Sequence, residues 1–226
     1  MTRTPERVRD LLLVGLTFSS GAVDAISYFA LGKIFTAFMT GNLVFLGLSV
    51  AGAGTSDATY AGVSLAMFVA GVVLSQFLLE PVSGPALWPR RVSVALTVVV
   101  VAQACFLAVW LATSGRPSHG AGALLVVLSA LAMGIQSNAV RSLGVKAVFT
   151  TAATATIIAL AADLVAGKPA APERARLTGI LVGLLAGACA GALVVVHARS
   201  YAAVLPLVVT TLVLGGASVA FGRRER

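Results

Sequence analysis

Apolar residues run along this chain in stretches of about twenty, separated by short clusters of proline, glycine and basic residues. Eight stretches fall at 9–31, 34–53, 58–79, 91–112, 119–140, 146–166, 175–197 and 201–221. A helix rising 1.5 Å per residue needs about 20 residues to cross roughly 30 Å of hydrocarbon, so the pattern predicts membrane-spanning helices. The breaks carry turn and interface residues: Glu80-Pro81 through Trp88 to Pro89-Arg90-Arg91, then Gly115-Arg116-Pro117, then Lys168-Pro169 and Pro172 to Arg176. Arg3, Arg7 and Arg9 before Leu11–Phe18 have the layout of a signal peptide. No small-residue cleavage site followed by polar sequence comes after them, so this run reads as a retained first helix.

The basic residues distinguish two ways of threading these segments. If all eight cross from a cytoplasmic N-terminus, ten Lys and Arg lie inside and six outside. If segments 2 and 6 leave the bilayer on the side they entered, Arg90, Arg91, Arg141 and Lys146 move inside and Arg116 moves out. The division becomes thirteen against three, with Lys33, Arg116 and Arg199 outside. Lys and Arg accumulate in cytoplasmic loops. The expected fold is therefore an all-α polytopic membrane protein with six full spans plus two broken or re-entrant elements; eight full spans is the alternative.

The two halves also resemble each other at an offset of 114 residues. Phe35-Thr36 overlies Phe149-Thr150, Thr40 overlies Thr154, Asn42 overlies Thr156, and Asp24-Ala25 overlies Asn138-Ala139. Leucine matching leucine means little in so apolar a chain, whereas matched polar residues carry information. The reading is one membrane domain made of two repeats, 1–113 and 114–226. Three spans per repeat would invert one half relative to the other, a plan used by secondary transporters.

At this point the chain resembles a known group. Gly21-x-x-Asp24-Ala25-x-Ser27-Tyr28-x-x-Leu31-Gly32-x-x-Phe35-Thr36-x-x-Met39-Thr40-Gly41-Asn42, with Gly134-x-Gln136-x-Asn138-Ala139-x-Arg141 further on, is similar to the YoaK family of bacterial membrane proteins. The family usually reads Gln-Asn-Ala where Ser137 here separates Gln136 from Asn138, and Thr-Gly-Thr where this chain has Thr154-Ala155-Thr156. The resemblance implies an inner-membrane protein of about six spans and supplies no substrate.

Within the apolar runs a few polar residues stand out as a candidate substrate or ion site: Asp24, Ser27, Thr36, Thr40, Asn42, Gln136, Asn138, Arg141, Thr150 and Thr154. A carboxylate inside a span costs roughly 2.5–3.5 kcal/mol on insertion scales, so Asp24 must pair, be protonated, or face protein or water. It reads as a cation, proton or amine site, or else as a static pair with Arg141 or Lys33 or a hydrogen-bonded staple between the halves. Thr36 and Thr40 at i and i+4 would share a helix face; if the helix is interrupted at Gly41, freed backbone groups would line a polar cavity. Transmembrane threonines also simply bond their own i−4 carbonyls. Gln136 and Asn138 lie about 200° apart on a helix. Arg141 reads as snorkelling to lipid phosphate or as a partner for Asp24. The Gly183, Gly187, Gly191 and Gly71, Ser75 stripes read as close helix packing, within the chain or in a homodimer. Pro206 is expected to kink the last helix.

Composition narrows the function. The chain is 58% hydrophobic, with 11% charged residues and a mean hydropathy of +0.99, too few charges to cover a soluble fold of this size. A net charge of +8 would suggest nucleic acid in a soluble protein. Here the basic residues flank apolar runs, so anionic lipid is the expected partner. Cys105 and Cys189 lie inside apolar runs and read as buried thiols, with no metal site and no cofactor implied. No nucleophile–base set, HExxH or P-loop is present, so the chain reads as a non-enzyme. The readings that remain are a secondary transporter or small channel for a small solute and a non-transporting scaffold or binding protein. An intramembrane enzyme is the weakest.

Overall fold

The computed structural model describes residues 5–79, 86–145, 153–166 and 172–222. All regular structure among them is helical: α1 (Pro5–Ala30), α2 (Met39–Val50), α3 (Ala58–Leu79), α4 (Arg90–Ala112), α5 (His119–Ser142), α6 (Ala153–Val165), α7 (Pro172–His197) and α8 (Val204–Phe221). A 3-10 turn at Arg199–Tyr201 leads into α8. Six helices are long and apolar enough to cross a bilayer, and α2 and α6 are too short.

The helix ends follow from local chemistry. Pro5 and Glu6 open α1. Gly32 and Lys33, both at positive φ, close it. α4 starts after the extended Pro89 and stops at Ser114 and Gly115, again at positive φ. Ser118 caps α5, its hydroxyl accepting from the Ala121 N–H. Pro206 does not kink α8 as expected. It occupies the first turn of that helix, where the missing N–H has no intrahelical partner to lose.

End-to-end contacts fix the direction of each span. The Asp57 N–H donates to the Gly32 carbonyl (2.8 Å), joining the end of α1 to the start of α3. The Tyr60 hydroxyl donates to the His119 carbonyl, joining the starts of α3 and α5. Trp110 Nε1 donates to the Arg199 carbonyl (2.9 Å), and Arg199 Nε donates to the Gly115 carbonyl (2.7 Å). These ends mark one face of the bundle, here the far face. On the opposite, N-terminal face, Arg176 lies 3.8 Å from Asp10, and Trp88 stacks on Phe221 at 6.0 Å. Helices α1, α4 and α7 therefore run towards the far face, and α3, α5 and α8 run away from it.

α2 leaves and returns on the far face, because Gly32 and Asp57 meet there. α6 lies between the end of α5 and the start of α7, both on the N-terminal face. The two short helices thus approach from opposite sides.

α1 and α5 are the most buried spans, which is why they carry the polar residues that lipid would reject. α1 packs chiefly on α7 and α8, and α5 chiefly on α3 and α4. The α1–α7 and α3–α5 pairs run parallel and touch through backbone. Gly187 faces the Phe18 carbonyl, Gly191 faces Ala22, Gly71 faces the Leu131 carbonyl and Gly134 faces the Phe68 carbonyl. Both small-residue stripes are thereby covered inside the chain, which leaves neither of them for a homodimer seam. Cys105 and Cys189 are free thiols on the outer surface of the bundle rather than buried.

Candidate functional site

The segment between α1 and α2 is irregular, and its backbone polar groups need partners within the apolar region. Asp24 supplies two of them. Its Oδ1 accepts from the Thr36 N–H (2.9 Å) and the Ala37 N–H (2.8 Å). Asp24 lies six residues before the end of α1, so the turn dips about 9 Å along that helix. Asn42, on the first turn and a half of α2, closes the other side. Its Oδ1 accepts from the Phe35 N–H (2.9 Å), and its Nδ2 donates to the Phe35 carbonyl (2.6 Å) and to Ser64 Oγ (3.2 Å). Ser64 donates to the same carbonyl at 2.7 Å. The Thr36 hydroxyl lies 3.1 Å from that of Ser27 and 2.8 Å from that of Ser129 on α5.

Asp24, Ser27, Thr36 and Asn42 therefore converge, as a lock on a re-entrant turn. Thr40 does not join them. The break spans Leu31–Phe38 rather than Gly41, so Thr36 precedes α2 and shares no helix face with Thr40, which is exposed. Gly41 is buried within α2, where a Cβ would meet the rings of Phe35 and Phe38 at 2.8 Å.

The residues on α5 point to two different neighbours, as their angular separation requires. Gln136 Nε2 donates to the Leu16 carbonyl (3.2 Å) and Ser20 Oγ (3.0 Å) on α1, while its buried Oε1 has no partner. Asn138 Nδ2 donates to Ser75 Oγ (2.8 Å) on α3. Arg141 is exposed in the last turn of α5, on the N-terminal face. Asp24 lies nearer the far face, so the Asp24–Arg141 pair, one of the alternatives for these residues, does not form. Lys33 is exposed in the turn after α1 and is not the partner of Asp24 either. Thr154 is exposed on α6, Thr156 is buried, and Thr150 lies outside the described residues.

Beside the lock is a partly open pocket of about 20 Å³ where α1, α4, α5 and the start of α8 meet. Val23, Phe106, Met133 and Pro206 form apolar walls, and Gln103 and Ser129 are the only polar side chains lining it. Gln103 is 7% exposed, and neither its Nε2 nor its Oε1 has a hydrogen-bond partner. Ser129 belongs to both places, since its hydroxyl also meets Thr36.

Residues 12–216 match the family described as "Protein of unknown function (DUF1275)". The chain belongs to the DUF1275 family. A curated relative, UPF0700 transmembrane protein YoaK of Bacillus subtilis (strain 168), is 31% identical over 161 residues, covering 71% of this chain and 69% of that protein. No solved structure matches the chain.

In this DUF1275 member, the stretch from Gly21 to Asn42 that resembles YoaK builds the re-entrant lock. Gly21 belongs there for packing, since a Cβ would collide with the Leu184 carbonyl of α7. Gln103, Ser64 and Ser129 escaped sequence reasoning. Lone serines are common in spans and bond their own helix backbone, so Ser64 and Ser129 gave no signal. Gln103 did give one, as a carboxamide in the middle of an otherwise apolar run.

Proposed function

We propose that this chain is a secondary transporter or small channel for a small solute, without enzymatic activity, in the cell inner (plasma) membrane. The observation that carries the reading is the pair of short helices approaching from opposite faces, α2 packed on α3 and α6 packed on α7. One of them is preceded by irregular backbone held deep in the bundle by Asp24 and Asn42. Broken elements of this kind occur within the hydrocarbon region where they are buried in protein or line a polar path. Residues 1–113 and 114–226 are read as inverted repeats. The reciprocal packing of α1 on α7 and α8, and of α5 on α3 and α4, supports this.

Purified protein in proteoliposomes is expected to move at least one class among small neutral solutes, monovalent cations and anions faster than protein-free vesicles do. Folded protein that moves none of them over a broad panel sinks the reading. A scaffold reading draws on one observation, that backbone amides engage Asp24 Oδ1. It predicts an intact fold with no flux.

The N-terminal face is read as cytoplasmic, because among the described residues Lys33, Arg116 and Arg199 are the only Lys and Arg on the far face. In a chain with Cys105 and Cys189 replaced by alanine, single cysteines at Lys33 and Arg116 are expected to react with impermeant maleimide on intact cells. Cysteines at Arg91 and Arg141 are expected to react only after permeabilisation. The reverse pattern overturns the orientation.

A further inference from the structure

We infer that the Gln103 cavity is the solute site, and that its guest is a small uncharged molecule presenting a hydrogen-bond donor and acceptor, either water or a small amide. The inference rests on the transport reading above and names the chemistry of its site.

Three observations carry it. First, Gln103 is buried mid-way along α4 with its whole carboxamide unpartnered. A buried amide without partners is a costly feature, and a guest that donates to Oε1 and accepts from Nε2 removes that cost. Second, among the described residues no charged side chain lines the cavity; Ser129 is the other polar group and the rest is apolar. A bare cation would meet no counter-charge there, and an anion no cation. Third, the cavity holds about one water molecule, since a water needs roughly 10–15 Å³ of such space. A small amide, with three or four heavy atoms, would require the helices to part slightly.

The surroundings suggest how the guest arrives. Towards the far face the cavity is closed by Phe106, stacked on Trp110 at 5.8 Å, and Trp110 is tied in turn to Arg199. Towards the N-terminal face the same two helices, α4 and α8, flank an open groove of about 490 Å³ lined by Trp88, Arg90, Ser93, Thr97 and Ser218. Thr97 precedes Gln103 by six residues, about 9 Å along the helix.

Stopped-flow light scattering on proteoliposomes tests this, with formamide, urea and water as probes and potassium and chloride fluxes as comparisons. Wild-type protein is expected to pass at least one of the three neutral probes several-fold faster than empty vesicles. Water without the amides assigns water as the guest, and amide flux assigns the amide. Gln103→Met, which keeps the volume and removes both hydrogen-bonding atoms, is expected to cut that flux by about tenfold. It should elute as folded protein with an undiminished Tm. Gln103→Ala serves the same purpose if the methionine variant does not fold. Undiminished neutral flux in a folded variant overturns the site and leaves the transport reading standing. Flux of potassium or chloride but of no neutral probe overturns the class of guest. No flux of any probe sinks the transport reading, and this inference with it.

Discussion

Asp24→Ala is expected to lower the stability of the folded protein by about 2–4 kcal/mol, because it leaves the Thr36 and Ala37 N–H groups without an acceptor in the apolar interior. A soluble protein would let water replace the carboxylate, whereas hydrocarbon offers no substitute. Asp24→Asn keeps an acceptor oxygen at the same place and is expected to recover more than half of the loss. Thermal unfolding in detergent, followed by size-exclusion yield, measures both. If Asp24→Ala melts with the wild type, the carboxylate does not hold the turn. A flux defect in Asp24→Asn without loss of stability would instead assign Asp24 a direct role in permeation.

The second large effect is expected at Gly187. A Cβ there would overlap the Phe18 carbonyl and approach the Phe18 Cα at 2.9 Å. Neither atom can rotate away, since both belong to the backbone of α1. Gly187→Ala gains up to about 1 kcal/mol of helix propensity, but the parallel α1–α7 pair must separate to admit the methyl group. Overpacking of this kind typically costs 1–3 kcal/mol, occasionally more. We expect a net loss of about 1–2 kcal/mol for Gly187→Ala, and no folded monomer peak for Gly187→Leu. Gly62→Ala is the matched control, because nothing lies within 4 Å of its Cβ. Equal behaviour of Gly187→Ala and Gly62→Ala would show that the α1–α7 contact is not limiting.

Much of this architecture was legible from run length and charge. Positive residues favoured six spans over eight because Arg90, Arg91 and Arg141 belong on the same face as the N-terminus, and the contacts at Asp57, His119 and Arg199 give the same threading. Asp24 and Asn42 were legible because a polar group in hydrocarbon demands a partner. The nature of those partners was not. They are backbone groups of residues 35–37, and backbone has no sequence signature. The threonine pattern misled for a related reason. Spacing of four implies one helix face only if the helix is continuous, and the chain is irregular through Thr36. Arg141 could be proposed as a partner for Asp24 only while depth was unknown, since the two lie towards opposite faces. Gln103 was passed over because it stands alone on its helix, and isolation is what leaves it unpartnered.

The interleaved packing has a consequence for biogenesis. α1 is made before α7 and α8, yet the surfaces that cover its glycine and small-residue seam belong to those two later helices. Most of the re-entrant lock, made by Asp24, Asn42 and Ser64, lies within α1–α3, and only the Thr36–Ser129 contact waits for α5. The seam on α1 therefore cannot be covered by its own chain until the second half has been synthesised.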